Sequence, residues 1–484
     1  MQMGKLGVHL PRVRVGVFVR HSALLVLICL AIVLVFSNQV YGSSDDDWPM
    51  FRHGASQTGL SESVAPTTPV IQLRNYTVAN YPNYPSIVST PVISGGFMYV
   101  ASRDPAQEIY GVSCIKTSTG GVVWNFQKES VPFNTPAVSG GRVYVGSGSS
   151  MIKTEGNVYC LDALSGALVW NSSVNEPVCS PVNLADGRVF FESTEGNLFC
   201  LDAANGNKMW NYSMGGKAGW GLCPAVADGY VFASNNDDSW MHYSVPKLGI
   251  ILCLKAADGT KIWNFTVSNY VSSPAIAHGN VYFGSADGNA YCLNASTGHK
   301  VWNYTTWFNS GGPAHNYQWG NTVGSPALGY GYVFVGSSDF DAFCLDALTG
   351  EKVWNLSIDA ASSFPPAIAN GCVYISSYSG TIHCLNASSG SEYWNYSAGS
   401  FSPINSGIDA PVIADGEVYV RTLQDLYGSG FPEQGVVVAL GMPHGVLGFS
   451  LVWVAAGVGA FVAVIVVVYL KKNRTSDASE VKNP

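Results

Sequence analysis

Across residues 273–306, short apolar runs alternate with polar breaks that carry glycine. SPAIA (273–277) is followed by HGN, VYFGS (281–285) by ADGN, and AYCLNA (290–295) by STG; KVWNYTT (300–306) closes the unit. The apolar runs draw on Val, Ile, Tyr and Phe, and each break combines Gly with Asp, Asn or Ser. That pattern predicts four antiparallel strands joined by tight turns. Nothing between residues 43 and 444 has the 3.6-residue apolar period of a long amphipathic helix.

The unit recurs. A Trp-Asn pair marks its end at Trp124, Trp170, Trp210, Trp263, Trp302, Trp354 and Trp394, with spacings of 46, 40, 53, 39, 52 and 40 residues. A base period near 40 is the length of a four-stranded propeller blade. An eighth unit starts at DAPVIADGEVYVRT (409–422) and reaches GVVVAL (435–440), but has no fourth strand of its own. VIQLRNYTV (70–78) aligns with KVWNYTT, so the N-terminal strand is expected to complete the last blade. Such closure leaves no open sheet edge between first and last blades.

Two apolar segments bracket the repeats. The run 23–36 follows Lys5, Arg12, Arg14, Arg20 and His21, which reads as a secretory signal cleaved after Gly42 or, if uncleaved, as a signal anchor. The run 445–470 holds 26 residues without a charge. At about 1.5 Å per residue it is long enough to cross a hydrocarbon core of about 30 Å. Lys471, Lys472 and Arg474 follow it, which puts the C-terminus in the cytoplasm and residues 43–444 outside. The expected fold class is therefore all-β, an eight-bladed β-propeller with one C-terminal transmembrane helix. Its expected parts are a signal peptide or anchor (1–42), a lead-in (43–69), the propeller (70–444), the span (445–470) and a cytoplasmic tail (471–484).

Charge narrows the partners. Sixteen of the 24 basic and 30 of the 32 acidic residues fall within 43–444, a balance of −14. A phosphate backbone needs a basic surface, so nucleic acid is not an expected partner. Of the 11 cysteines, Cys114, Cys160, Cys200, Cys253, Cys292, Cys344 and Cys384 share one repeat position. Equivalent positions in neighbouring blades are too far apart to bridge, so these read as small buried hydrophobes. Cys179 and Cys223 begin the first strands of adjacent blades and form a candidate disulfide. No CxxC, CxxCH or HExxH occurs, so no metal site is expected.

CLDALTGEKVWN (344–355) resembles the repeat of pyrroloquinoline-quinone-like (PQQ-like) β-propellers, with Cys where that family usually has Ala. DWPMFRHGASQTGLS (47–61) is similar to the lead-in of such propellers. The resemblance implies that each Trp docks its blade on the next. It also implies two functional classes, quinoprotein dehydrogenases that use PQQ with calcium, and non-catalytic scaffolds. The dehydrogenases carry a vicinal Cys-Cys pair above the quinone, and this chain has none. Asp237, Asp238, Asp339 and Asp341 are the close acidic pairs in loops, and they form no calcium loop. No catalytic residue is therefore assigned.

Two features remain beyond the repeat. Sequons begin at Asn75, Asn171, Asn211, Asn264, Asn303, Asn355 and Asn395 on fourth strands, and at Asn294 and Asn386 in turns; these are candidate glycosylation sites. Insertions lengthen the second-to-third strand loops of blades one, two, four and eight and the connection 306–321. Propeller topology brings all of these to one face. Trp220, Trp240, His242, Tyr243, Trp307, Phe308, His315, Tyr317 and Trp319 enrich that face in aromatic and polar groups and form the candidate ligand-binding face, joined by Tyr427. The expected function is a cell-surface, membrane-anchored propeller that binds a protein or glycan without catalysis and needs no cofactor. The alternative is a PQQ- and calcium-dependent dehydrogenase.

Overall fold

The computed structural model describes residues 47–442, apart from 49, 77–85, 88, 105–107, 130, 149–154, 179, 216–221, 237–247, 307–322, 360–361, 363, 398–409 and 425–433. Both apolar segments, 23–36 and 445–470, lie outside the described residues. Among those described, no helix is long and apolar enough to cross a membrane.

The described strands form eight sheets, each built on four antiparallel strands. Blade five is representative, with strands Ala275–Ala277, Asn280–Gly284, Asn289–Asn294 and Lys300–Thr305. Its second strand is buried along four of five positions because it lies between two neighbouring blades. Its fourth strand alternates, with Trp302 buried and Asn303 and Thr305 exposed, because only one face meets a neighbour. The predicted boundaries lie within about two residues of the observed ones.

The ring closes through the N-terminal strand. Ile71–Tyr76 pairs antiparallel with Gln434–Gly441 and completes blade eight beside Glu417–Gln424 and Val412–Ala414. Arg74 stands opposite Ala439, the place that Trp takes opposite Cys in the other blades. Its guanidinium reaches Glu417 at 3.1 Å, and the Tyr76 hydroxyl donates to the Thr117 carbonyl of blade one at 2.7 Å. The closing seam is thus bridged by the Tyr76 hydroxyl where the other seams use tryptophan, and the Arg74–Glu417 pair lies within blade eight.

The other seams share one construction. Trp302 Nε1 donates to the Ala347 carbonyl of the next blade at 3.1 Å, and its ring lies against Gly350. Trp124, Trp170, Trp210, Trp263 and Trp354 make the same bond to Ala163, Ala203, Ala256, Ala295 and Ala387. Trp394 instead donates to Pro66 of the lead-in, because blade eight lacks the motif turn. The turn itself is held by its first residue. Asp346 Oδ1 accepts from the amides of Leu348 and Thr349, and Asn294, Asp162, Asp202 and Asn386 act likewise. At Lys255, where that residue type is lost, Asp258 takes an amide from Thr260 instead.

The lead-in winds around the propeller axis. The carbonyls of Ala55, Ser56, Thr58 and Gly59 accept from the amides of Val226, Ile276, Leu328 and Ile368, in the innermost strands of blades four to seven. Trp48 exchanges both backbone bonds with Ile93 of blade one, and Leu60–Ser61 pairs parallel with the inner strand of blade seven. Inner strand edges would otherwise present bare amides to the axis, and the lead-in satisfies them about one blade per residue. Asp47 at the first-to-second turn of blade one, and Ser63 and Ala65 at those of blades eight and seven, mark the end of the axis it covers.

Candidate binding face

The two ends of the ring differ. At the covered end, first-to-second and third-to-fourth turns are short and repeat closely. At the other end, the second-to-third loops stand on hairpins of unequal height. In blade four the ladder runs on through Asn235 opposite Ile250 and Asn236 opposite Gly249. Blades one and eight extend likewise, through Asp104 opposite Ile109 and Gln424 opposite Gln434. Blades three, five, six and seven stop at tight turns closed by Ser193, Ser285, Ser337 and Ser377. The tall hairpins are therefore continuous antiparallel ladders up to the last described pair of each.

The low blades are tied together by carboxylates from the preceding connection. Glu176 accepts from Ser193 Oγ at 2.6 Å and from Asn197 Nδ2, fastening blade three. Asp359 holds Thr381 Oγ1 at 2.6 Å, Ser379 Oγ, and His383 Nε2 at 3.0 Å, fastening blade seven. His383 Nδ1 faces Glu392 at 2.8 Å, so the ring lies between two carboxylates. Burial alone would raise the Asp359 carboxyl, but the hydroxyls of Ser379, Thr381 and Ser377 and the His383 ring hold it well below the usual range. A carboxyl lowered by folding stabilises the fold above its unfolded pKa of about 3.9, and that contribution fades as pH falls below it. Asp359 is partly exposed, so solvent screens the effect. Asp359→Asn is expected to be less stable than wild type at neutral pH, with the gap narrowing below about pH 4. Urea unfolding at several pH values measures this, and a gap that does not vary with pH would refute it.

The axis is polar where the lead-in reaches the starts of the inner strands. Arg52 is 1% exposed and donates to the carbonyls of Ser273, Pro274 and Pro326, just ahead of the inner strands of blades five and six. Burial pulls its pKa down to about 9. Beside it, Phe51 packs with Cys223 and Ala410. The Cys223 amide donates to Ser273 Oγ and its thiol to the Pro181 carbonyl. Glu192 is fully buried, which pushes its carboxyl well above the ordinary range and favours the neutral acid. At the axis itself the Arg52 guanidinium is committed to backbone carbonyls, with Phe51, Cys223 and Ala410 packed beside it.

The repeated cysteines are buried, and Cys160, Cys200, Cys253, Cys292 and Cys344 each lie opposite the Trp of their own blade. Burial lifts Cys200, Cys253, Cys292 and Cys344 to about 12. Such thiols stay protonated at neutral pH and pack as small apolar groups. Of the candidate disulfide, Cys223 sits in the axis as described, and Cys179 lies outside the described residues. Trp220, Trp240, His242, Tyr243, Trp307, Phe308, His315, Tyr317, Trp319 and Tyr427 also lie outside them, as do Asp237 and Asp238. What the structure adds is the residues that flank eight of these: Asn236 paired with Gly249 flanks Trp240, His242 and Tyr243, and Thr306, bonded to Gly288, with Val323, bridged to Ser337, flanks Trp307, Phe308, His315, Tyr317 and Trp319. The axial group of Phe51, Arg52, Cys223 and Ala410 was missed in sequence. No local signal marks it, because its members come from three distant segments.

A quinone–calcium pair needs a clustered donor set. Among the described residues no three His, Cys, Asp or Glu side chains come together to hold a metal ion. Asp341 accepts from Ser357 Oγ at 2.6 Å, a bond within its own blade. The described residues do not fit that cofactor pair, and no step is derived through it.

The fold and its seams define an eight-bladed β-propeller with a plugged axis. The family model described as outer membrane protein assembly factor BamB matches residues 111–220, 200–364 and 344–447, and the chain belongs to that PQQ-like family. Similar solved structures include BamB from Moraxella catarrhalis, at 17% identity and a TM-score of 0.55, covering 78% of this chain and 99% of that one. A europium-containing methanol dehydrogenase matches at 13% identity and a TM-score of 0.63, covering 82% and 98%. Quinohemoprotein alcohol dehydrogenase from Comamonas testosteroni matches at 13% and 0.60, covering 83% and 82%. At these identities the likeness shows the fold. No curated protein matches the chain.

Proposed function

We propose that the chain is a membrane-anchored, cell-surface propeller that binds a protein partner on the face where the tall hairpins stand. The observation that carries this reading is the asymmetry of the ring. The lead-in covers the end with the short turns and threads inward through the axis as far as Arg52, and the long insertions are rooted at the end opposite that cover. A rigid ring that presents variable loops on one side suits recognition. The aromatic residues at 240 and 307–319 supply the anchors that protein interfaces favour. Membership of a family described as an outer-membrane assembly factor supports a scaffold, and the span at 445–470 would hold it at the membrane. A glycan is the other ligand that such a face suits.

The test is site-specific photo-crosslinking of the full chain in its native membranes. A photoreactive residue at Trp240 or Trp319 is expected to capture a protein, and one at His278 on the opposite turns is expected to capture none. Equal capture at all three positions, or none at Trp240 and Trp319, would remove the reading.

A further inference from the structure

The outer strands carry a feature that neither the seams nor the binding face uses. Asn171, Asn211, Asn264, Asn303, Asn355 and Asn395 are all exposed, at the same position of the fourth strands of blades two to seven. Asn75 is exposed at that position in blade eight. In blades two to seven the hydroxyl two residues on is exposed too, at Ser173, Ser213, Thr266, Thr305, Ser357 and Ser397. Side chains two apart on a strand share a face, so each acceptor amide and its hydroxyl point outward together. Blade one departs in both respects. Asn125 is followed by Phe126 and Gln127 and has no sequon. It is also only partly exposed, and its Oδ1 accepts from Ser113 Oγ at 3.3 Å.

The same face has something to cover. Two residues before each Asn of blades two to seven lies an exposed apolar side chain, Val169, Met209, Ile262, Val301, Val353 or Tyr393, each 38% exposed or more; Val123 of blade one is exposed likewise, and Leu73 of blade eight is half-buried. Fourth strands are the outermost of their sheets, so each leaves one unpaired backbone edge beside an apolar residue. Exposed apolar edges invite pairing with other chains, and proteins usually block them with charge, proline or a covering group. The apolar residue and the Asn are about 7 Å apart along the strand, which puts it under the first sugars of a glycan.

We propose that the outer-strand asparagines of blades two to eight carry N-linked glycans, forming a girdle around the rim that is interrupted at blade one. The donor is a polyprenyl phosphate- or pyrophosphate-linked oligosaccharide. The Asn amide nitrogen bonds to the anomeric carbon as the bond from that carbon to the phosphate oxygen breaks. The amide loses one proton and the lipid phosphate leaves. Transfer precedes closure of each blade, because the extended strand must leave its partner to enter an enzyme. Asn75, made first and paired last with Gln434–Gly441, is expected to be the most fully modified. The turn sequons stand outside the girdle, since Asn294 and Asn386 are half-buried with their oxygens committed to turn amides.

The inference rests on an exported ring, so two measurements are made on the full chain from its own cells. Protease accessibility on intact cells reports the side of the membrane. Peptide mass spectrometry reports each Asn. The expected result is an accessible chain, with oligosaccharide mass on peptides holding Asn75, Asn264 and Asn303 and none on Asn125. Thr266→Ala is expected to abolish the added mass at Asn264 and Thr266→Ser to keep it, with the other sites unchanged. An accessible chain with unmodified peptides at all seven sites would overturn the girdle and leave the surface reading standing. An inaccessible chain would overturn both. Glycan at Asn264 that survives Thr266→Ala would overturn the sequon mechanism.

Discussion

Gly350→Ala is expected to destabilise the propeller by about 2–5 kcal/mol, beyond what its turn alone would cost. The residue sits at φ +72°, and a Cβ there would stand 2.5 Å from Trp302 Cδ2. The left-handed backbone contributes about 1–2 kcal/mol with any L side chain. The collision with the indole adds a packing term of about 1–3 kcal/mol, because the ring is held by its bond to the Ala347 carbonyl and cannot retreat. Gly279 separates the two terms. It has the same φ of +72° with nothing within 4 Å of its Cβ, so Gly279→Ala should show the backbone term alone. Trp302→Ala should cost about 3–5 kcal/mol by emptying the seam. In the double variant, the collision at Gly350 should vanish, so the two changes should be strongly non-additive. Urea denaturation of the four variants measures all of these terms. Equal losses for Gly350→Ala and Gly279→Ala would show that the seam does not depend on the missing Cβ.

Arg52→Ala is expected to cost about 3–5 kcal/mol and to release the lead-in. The side chain is fully buried, and its removal leaves the carbonyls of Ser273, Pro274 and Pro326 without their donor at the axis. A buried acceptor that loses its partner costs about 1–3 kcal/mol. Arg52→Lys should recover little, because an ammonium is a point donor and cannot fan out to carbonyls from two blades. Limited proteolysis should then cut within residues 47–65 while the ring stays folded. A variant with wild-type stability and an uncut lead-in would show that the backbone bonds at Ala55, Ser56, Thr58 and Gly59 hold the plug by themselves.

Much of this architecture is local and could be read along the chain. The strand order within a blade follows from alternation and turn residues, which act over a few positions. The blade count follows from the Trp-Asn period, and the closing strand from its likeness to KVWNYTT. The roles of Asp346 and Gly350 in their turn are local in the same sense. The second demand on Gly350 was not legible, because the indole that excludes a Cβ belongs to the preceding blade. The lead-in shows the same limit. DWPMFRHGASQTGLS has no periodicity, and its backbone partners are single residues far apart in later chain, from Ile93 to Ile368.

The sequence by itself thus determined the blade, its repeat number and the place where the ring closes, because these depend on side-chain pattern and turn chemistry within about 40 residues. It also marked seven outer-strand sequons as alike. The tertiary structure alone decided that those asparagines face outward while Asn125 turns partly inward, and that Arg52 fills the axis. It alone revealed that the closing seam trades the tryptophan bond for one from Tyr76, with Arg74 and Glu417 paired inside blade eight. The reason is the same in each case. Burial and hydrogen-bond satisfaction depend on which distant segments meet, and no periodicity within one blade records that.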